Sequence, residues 1–351
     1  MRLVGLSAVV PKDVVPITEA YAHFPQADID RIVANIGVRQ HREVTPGTTA
    51  ADMAIEAGRA LLADLGWEPS SVDLCLFVSL TFDQPAPGTA TRIQHALGLR
   101  TSTMALDVIL GCSGFTHGLL LAESLLASGL AKRALLFCGE ATTHHFRPGI
   151  RDCRTVGNLG NSLLFGDAAS CAALEAGPTQ VRARVVGADG GGYDHISVPA
   201  GGARRPIRGA GELEFTPDAK GEPRRPIDIW LNGTEVFTFS IRRVPPMFDE
   251  AMKQSGWTAD DVGTFVFHQA NKFMLEFLRK KLKLPEDRVP LTIEDFGNTS
   301  SASIPLTMVA RRREALATPH KLLLLGFGIG FSWSAVALET EGVRVLPLIE
   351  I

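Results

Sequence analysis

The chain has 351 residues, a formal net charge of −3, 45% hydrophobic residues and 21% charged residues. This composition is typical of a globular protein with one large domain or two medium domains. A charge this close to neutral argues against a broad basic surface, so we expect no nucleic-acid partner.

The apolar segments and the cysteines predict a cytoplasmic protein with no membrane partner. The run at residues 1–11 lacks a cleavage site and predicts a strand, not a signal peptide. Residues 322–338 are uncharged but are broken by three glycines, which favours two buried strands around a turn. The five cysteines are scattered and contain no Cys-x-x-Cys pair, which indicates neither disulfides nor a metal site.

Two segments of the chain repeat one pattern. Residues 51–78 predict an amphipathic helix, a stop at Gly66-Trp67, a short connection and a buried strand. Residues 247–268 predict the same elements around Gly256-Trp257. We interpret the repeat as an internal duplication, with two similar βα halves that face each other.

The duplication suggests a division of the chain into three parts. We expect an N-terminal half at 1–175, connecting strands and an excursion at 176–230, and a C-terminal half at 231–351. The excursion is rich in Pro, Gly and Arg, with arginines at 204, 205, 208, 224 and 225. Such charge predicts a solvated loop pair, and the alternative is a docking edge for an acidic partner.

Cys112 lies between an apolar run and a helical pattern, in the sequence Leu110-Gly-Cys-Ser-Gly. This position predicts a thiol at the N-terminus of a helix, where the helix dipole favours thiolate near neutral pH. Such a thiolate is a candidate for covalent catalysis. The alternative is a buried, inert cysteine.

Three later motifs are also candidates for chemistry. His268 ends a predicted buried strand, Asn298 opens a predicted helix, and residues 326–333 form a glycine-rich turn. Strand ends at βα junctions often carry reactive groups, and a glycine turn can aim a backbone N–H at an oxyanion. The alternatives are a structural histidine, a helix N-cap and a tight turn.

Together the motifs resemble the ketoacyl synthase III family over essentially the whole chain. The matching motifs are Leu110-Gly-Cys-Ser-Gly, His268-Gln-Ala-Asn, Gly297-Asn-Thr-Ser and Gly326-Phe-Gly-x-Gly, in the family's order. The resemblance implies an α/β thiolase fold, with duplicated βαβαβαββ halves in a five-layered αβαβα arrangement. It also implies a homodimer.

The resemblance implies a condensing site that needs no metal or other cofactor. Cys112 would take an acyl group from a thioester, and His268 and Asn298 would stabilise the enolate formed when a malonyl-type thioester loses carbon dioxide. The backbone N–H groups of Cys112 and Gly330 would form the oxyanion hole. The product would be a 3-oxoacyl thioester, and an acyl carrier protein would be a partner.

The chain departs from the family where coenzyme A is usually bound. Arg31, Asn35 and Leu159 replace the residues that support the nucleotide, which predicts a donor other than acyl-coenzyme A, such as an acyl-carrier thioester. Phe273 replaces the arginine that contacts the carrier, although lysines lie beside it. This basic helix is either a carrier contact or an ordinary solvated face.

Three further positions are candidates for substrate binding. Ala86 stands near the position of the aromatic residue that limits the acyl pocket across the dimer, which predicts tolerance of acyl groups longer than acetyl. Thr234 replaces an asparagine that contacts the pantetheine arm, and the retained Asn271 could serve that arm. These departures favour a specialised pathway over the initiation of fatty acid synthesis.

Several alternatives to decarboxylative condensation remain open. Acyl-Cys112 could pass its acyl group to an alcohol or amine, with His268 as base. A type III polyketide synthase shares the three residues but usually has proline where Ile329 stands. Thiolases use a second cysteine as the base, and hydroxymethylglutaryl synthases use a catalytic glutamate. The asparagine at position 298 matches neither of these families. A non-catalytic partner subunit is the alternative from another class.

Overall fold

The computed structural model of the chain describes residues 1–22, 24–145, 156–209, 211, 213–217 and 223–351. Cys153 and the side chains of Leu159 and Arg224 lie outside the described residues. No helix in the described part of the chain has the length and apolar character needed to cross a membrane.

The strands are distributed along the whole chain. They are β1 (Arg2–Val10), β2 (Val14–Pro16), β3 (Gln40–Arg42), β4 (Leu74–Ser79), β5 (Met104–Ile109), β6 (Arg133–Glu140), β7 (Ala168–Glu175), β8 (Val181–Ala188), β9 (Ile196–Ser197), β10 (Thr216–Pro217), β11 (Pro223–Arg224), β12 (Trp230–Leu231), β13 (Thr264–Phe267), β14 (His320–Gly328), β15 (Ser332–Thr340), β16 (Arg344–Val345) and β17 (Ile349–Glu350).

The helices alternate with these strands. They are α1 (Ile17–Ala20), α2 (Gln26–Ile36), α3 (Ala50–Leu65), α4 (Thr89–Ala96), α5 (Gly114–Ala127), α6 (Thr142–His145), α7 (Val156–Leu164), α8 (Gly233–Ser255), α9 (Lys272–Lys281), α10 (Ile293–Phe296) and α11 (Ser303–Leu316).

Two main sheets form the framework. The first has the order β16-β1-β7-β6-β4-β5, with β17 also paired to β1, and the second has the order β13-β14-β15-β8. Helix α3 covers the outer face of the first sheet, α5 and α11 lie between the sheets, and α8 covers the outer face of the second. This gives the predicted αβαβα layers, because each sheet buries both of its faces against helices.

The repeated pattern predicted from the sequence is a repeated structure. Helix α3 ends at Gly66 and α8 ends at Gly256, and both glycines have the left-handed backbone that closes a helix, with φ of 61° and 70°. A short 3₁₀ turn and a buried strand, β4 or β13, follow in each case. The local predictions for these elements are therefore confirmed.

The division at residues 175 and 230 stays a prediction, and strands cross those limits at two places. Strand β8 lies in the expected connection but pairs with β15 of the second sheet. Strands β16 and β17, at the end of the chain, pair with β1 of the first sheet. Within the excursion, the short strand pairs β9–β12 and β10–β11 are formed.

The carboxyl ends of parallel strands meet between the two sheets. Strands β5 and β6 both run parallel to β4, and β13 runs parallel to β14. Each of these strands therefore releases its following residues at one edge of its sheet, which is where α/β proteins bind ligands. Of the candidate functional residues, Cys112 follows β5 and His268 follows β13.

Candidate active site

Cys112 lies between the end of β5 and the start of α5, as the sequence predicted. The hairpin of β14 and β15 passes directly over it. A Cβ atom at Gly328 would lie 2.7 Å from Cys112 Sγ, and one at Gly326 would lie 2.7 Å from Ser113 Cα. Glycine is therefore needed at both hairpin positions so that the backbone can approach the thiol.

The resting state of Cys112 differs from the sequence expectation. The residue as a whole is half-buried, yet burial of the sulfur raises the pKa of Cys112 to about 11. Burial, together with the charge of Glu140, outweighs three groups that favour thiolate: the backbone N–H groups of Ile329 and Cys112 and the Ser300 hydroxyl. The expectation of a free thiolate near neutral pH is therefore wrong for the resting site.

His268 follows β13 and is buried, with 1% of its surface exposed. Its Nδ1 lies 2.8 Å from Ser303 Oγ, and its ring meets the edge of Phe327. Burial lowers the pKa of His268 to about 3, against a smaller opposing effect of the Ser300 backbone. The imidazole is therefore neutral at physiological pH, because the contact with Ser300 does not compensate for the loss of solvation.

Asn298 is held by both ends of its amide. The backbone N–H of Ser300 donates to Asn298 Oδ1 at 2.9 Å, and Asn298 Nδ2 donates to the Ala270 carbonyl at 3.4 Å. The first contact closes a local turn two residues along the chain, and the expected helix N-cap is wrong because α11 begins only at Ser303, after Ala302. Because this contact engages the oxygen, it directs the NH₂ group toward the chain that follows His268.

Ser300 connects the three predicted residues, and sequence reasoning did not single it out. Its hydroxyl favours the thiolate form of Cys112, and its backbone carbonyl contacts the His268 ring. Its N–H contacts Asn298. Ser300 also has a left-handed φ of 48°, an uncommon conformation for a residue other than glycine. The structure therefore brings Cys112, His268 and Asn298 together around one backbone bend.

Glu140 is a second residue that the sequence analysis missed. It ends β6 and has no exposed surface. Its carboxyl accepts from Leu80 N at 3.1 Å and from Thr81 Oγ1 at 3.1 Å. Burial raises the pKa of Glu140 to about 7. A glutamate at the end of an apolar strand, Ala134-Leu-Leu-Phe-Cys-Gly-Glu, was the available signal.

The hairpin turn directs one backbone N–H at the Cys112 sulfur, and the oxyanion role of Gly330 stays a prediction. The backbone N–H that contacts the Cys112 sulfur from the hairpin belongs to Ile329, the residue before Gly330. The turn tightens between Gly328 and Gly330, whose φ values are 153° and 137°. The sequence alone could not decide which N–H of this turn points inward.

The predicted substrate-binding residues have other local roles in the single chain. Asn271 caps α9 by accepting from Met274 N at 2.8 Å. Thr234 is exposed in the first turn of α8. Ala86 is exposed on the loop after β4, a loop that is tied to β5 because Asp107 accepts from Thr89 N. Their substrate roles stay predictions.

The positions of the family's nucleotide and carrier contacts are also exposed. Arg31 pairs with Asp28 on its own helix, and Asn35 bonds to the Arg31 carbonyl. Lys272 pairs with Glu294, while Phe273 is 55% exposed. Phe273 and Phe277 lie against Phe237 of α8, so this face combines aromatic side chains with the exposed lysines 280, 281 and 283.

The site is built from a thiol, neutral hydrogen-bond donors and one buried carboxyl. Among the residues that the structure describes, no group of three or more His, Cys, Asp and Glu side chains is arranged to hold a metal ion. A neutral imidazole and an amide NH₂ can donate to an oxygen that gains negative charge. The thiol beside them can form a thioester.

The chain is similar to known proteins over most of its length. Residues 106–191 match 3-oxoacyl-[acyl-carrier-protein] synthase III, and residues 252–340 match the C-terminal region of the same enzyme. The beta-ketoacyl-[acyl-carrier-protein] synthase III of Roseiflexus castenholzii is 32% identical over 89% of this chain and 92% of its own length.

Solved structures show the same fold. The 3-oxoacyl-(acyl-carrier protein) synthase of Burkholderia xenovorans is 36% identical, with a TM-score of 0.90 over 100% of this chain and 97% of its own. The priming β-ketosynthase of the R1128 polyketide biosynthetic pathway is 27% identical, with a TM-score of 0.81 over 97% and 96% of the two chains. The chain therefore belongs to the 3-oxoacyl-[acyl-carrier-protein] synthase III family and is an acyltransferase with the thiolase fold.

Proposed function

We propose that the protein joins two acyl thioesters by decarboxylative Claisen condensation. Cys112 attacks the first thioester and becomes acylated. His268 and Asn298 then donate hydrogen bonds to the carbonyl of a malonyl-type thioester, whose loss of carbon dioxide gives an enolate. The enolate carbon attacks the Cys112 thioester, which forms the carbon–carbon bond of a 3-oxoacyl product and releases Cys112 as a thiolate that takes up a proton.

The observation that carries this proposal is the neutrality of the two donors around Ser300. Burial keeps the pKa of His268 near 3, and the Asn298 oxygen is engaged by the Ser300 N–H. Both groups can therefore stabilise negative charge on oxygen without titrating. Acyl transfer to an alcohol or amine would require His268 as a base, and so low a pKa makes it a poor one.

The oxyanion of the acylation step needs two backbone donors near the thiol. The N–H groups of Cys112 and Ile329 contact its sulfur, and we assign them this role in place of the predicted pair of Cys112 and Gly330. Backbone donors suit the task because they are held in position before the reaction begins.

We further propose a carrier-bound acyl donor and a specialised pathway. At the family's nucleotide-binding positions, the Arg31 side chain is paired with Asp28 and Asn35 is bonded to its own helix. The aromatic and basic face of α9 offers a surface for an acidic, partly apolar carrier protein. The similarity to a priming ketosynthase of polyketide biosynthesis also favours this proposal.

Acylation of Cys112 is the first test of the proposed function. Incubation with matched acyl-coenzyme A and acyl-carrier thioesters should add one acyl mass to the intact protein, with the carrier-bound form reacting faster. The addition should vanish in Cys112→Ala, because the nucleophile is removed. It should persist in the control Cys75→Ala, whose cysteine is buried in β4. Addition of a malonyl-carrier thioester should then remove the acyl group from Cys112.

Two results of that experiment would contradict the proposal. Discharge by alcohols or amines without malonyl-carrier would assign the protein to acyl transfer. No mass addition from any donor would favour a non-catalytic partner subunit. Equal rates with coenzyme A and carrier thioesters would remove only the proposed preference for the carrier.

Ser303→Ala tests the role of His268 separately. Ser303 Oγ lies 2.8 Å from His268 Nδ1, and we assign the hydroxyl as the donor, which leaves the ring proton on Nε2 as a donor for substrate. Without that hydroxyl the tautomer is no longer fixed, and malonyl decarboxylation should fall about tenfold, less than the loss of a whole oxyanion donor. The control is Ser240→Ala, which removes an equally buried hydroxyl from α8. An unchanged rate in folded Ser303→Ala would refute this role.

Ala86→Phe tests the proposed acyl pocket. We expect the wild-type protein to accept acyl groups longer than acetyl, because a small residue at this position leaves room for the chain. Phenylalanine should reduce acylation by long chains by about tenfold and leave acetylation nearly unchanged, a discrimination of the size seen for filled apolar pockets. Ala317→Phe, on an exposed alanine after α11, is the control. A wild-type protein restricted to acetyl would contradict the proposal.

We also propose a homodimer that joins the first sheets of two chains through β5. This strand is the edge of its sheet, and its side chains Leu106 and Ile109 are 42% and 75% exposed. A sheet edge that also carries apolar side chains favours pairing with another strand. An isologous contact would bring the Ala86 loop of each chain to the other, since that loop is tied to β5.

Ile109→Lys tests the dimer. A charge within the proposed contact would be buried without a partner, so the protein should sediment as a monomer at micromolar concentration. The matched control is Val186→Lys, which places the same charge on β8, the edge strand of the second sheet. A dimer that survives Ile109→Lys but dissociates with Val186→Lys would place the contact on the other sheet.

A further inference from the structure

The residues that the condensation uses leave the Cys112 proton without a good acceptor. The thiol must lose a proton to attack a thioester, but its pKa lies near 11 and that of His268 near 3. A histidine that remains neutral serves as a hydrogen-bond donor and is a weak base. A different acceptor is needed for the acylation step.

Glu140 is a buried carboxyl at the same edge of the sheet. It ends β6 beside the ends of β4 and β5, and Cys112 follows β5. Three groups donate hydrogen bonds to Glu140 Oε2: the Leu80 N–H at 3.1 Å, the Thr81 hydroxyl at 3.1 Å and the Ser79 hydroxyl at 3.4 Å. The condensation proposed above assigns Glu140 no role.

Ser300 lies between the carboxyl and the thiol. The short helix at residues 300–302 packs against β6, and a Cβ atom at Gly111 would lie 2.9 Å from Ser300 Oγ. Its hydroxyl is buried and makes no hydrogen bond of ordinary geometry with the described residues. It nevertheless stabilises both the thiolate of Cys112 and the carboxylate of Glu140. Because the Ser300 hydroxyl is not hydrogen-bonded elsewhere among the described residues, it can donate to Cys112 or to Glu140 in turn.

We propose that Ser300 and Glu140 form a proton relay that activates Cys112. Ser300 is a catalytic residue in this scheme because it contacts the reacting sulfur. Glu140 acts through Ser300, as a proton acceptor that also orients the hydroxyl. The inference deepens the proposed function, since it rests on Cys112 as the nucleophile.

The relay balances atoms and charge over the acylation step. The sulfur of Cys112 bonds to the acyl carbon while its proton moves to Ser300 Oγ, and the Ser300 hydroxyl proton moves to the Glu140 carboxylate. The carbon–sulfur bond of the donor thioester then breaks. The leaving thiolate takes the proton back by the reverse path, so Glu140 ends as a carboxylate and a free thiol departs.

The titration of Glu140 sets the expected dependence on pH. Four titratable groups surround Glu140. Cys138 lies on the same strand, and Asp167 precedes Ala168, the residue of β7 that pairs with Glu140. Cys112 and His268 lie on the other side of Ser300. Asp167 is held by Val44 N and Thr143 N. Because burial raises the pKa of Glu140 to about 7, the acceptor form appears above that pH and is lost below it.

Alkylation by iodoacetamide tests the relay without any acyl substrate. The rate at Cys112, followed by intact mass, should rise in a step near pH 7 and again toward the thiol pKa of about 11. Glu140→Gln and Ser300→Ala should both lose the first step, with rates near neutral pH at least about tenfold lower. Glutamine can still accept from Leu80 N, so the fold should be kept, and thermal unfolding checks this.

Two further variants test whether the step near pH 7 belongs to the relay or to a neighbouring group. Ser301→Ala removes a nearby buried hydroxyl that donates to the Val78 carbonyl and also favours the Glu140 carboxylate, so it should keep the step but move it to higher pH. His268→Ala should keep it as well. Survival of the step in Glu140→Gln or Ser300→Ala, or its loss in His268→Ala, would overturn the relay. Alkylation that follows the relay without acylation from any donor would instead refute only the proposed function.

Discussion

The bend from Gly297 to Ser300 is the constraint on which the site depends. It carries Ser300 in a left-handed conformation, and the Ser300 N–H closes on Asn298 Oδ1. Ser300 thereby makes three contacts: its N–H fixes the amide of Asn298, its carbonyl contacts His268 and its hydroxyl points toward Cys112. Such backbone strain persists only where the surroundings hold it, and here Asn298 is also tied to Leu164 and Phe165 through its backbone.

Burial decides the chemistry of this site more than charge does. The same removal of water raises the pKa of Cys112 and Glu140 and lowers that of His268. All three groups are thus driven toward their neutral forms, as a low-dielectric pocket requires. A site of neutral donors favours reactions in which negative charge develops transiently on oxygen, and the proposed enolate and oxyanion are both of this kind.

The duplication brings residues that are far apart in sequence to one point. Each half places a helix, a glycine stop and a buried strand in the same order, and the two sheets enclose α5 and α11 between them. The first half supplies Cys112 and Glu140 at its strand ends, and the second supplies His268 and the bend with Asn298. The hairpin of β14 and β15 completes the site because Gly326 and Gly328 allow contact with Cys112 and Ser113.

The sequence by itself determined the repeated elements, because periodicity and glycine stops are local signals. The resemblance of its motifs to a known family implied the αβαβα fold and the roles of Cys112, His268 and Asn298. Only the tertiary structure decided three further points. It raised the pKa of Cys112 instead of lowering it, it placed the Ile329 N–H at the sulfur, and it brought Ser300 and Glu140 beside the thiol. Burial and the direction of an N–H or a hydroxyl depend on contacts between distant segments, and no local pattern contains them.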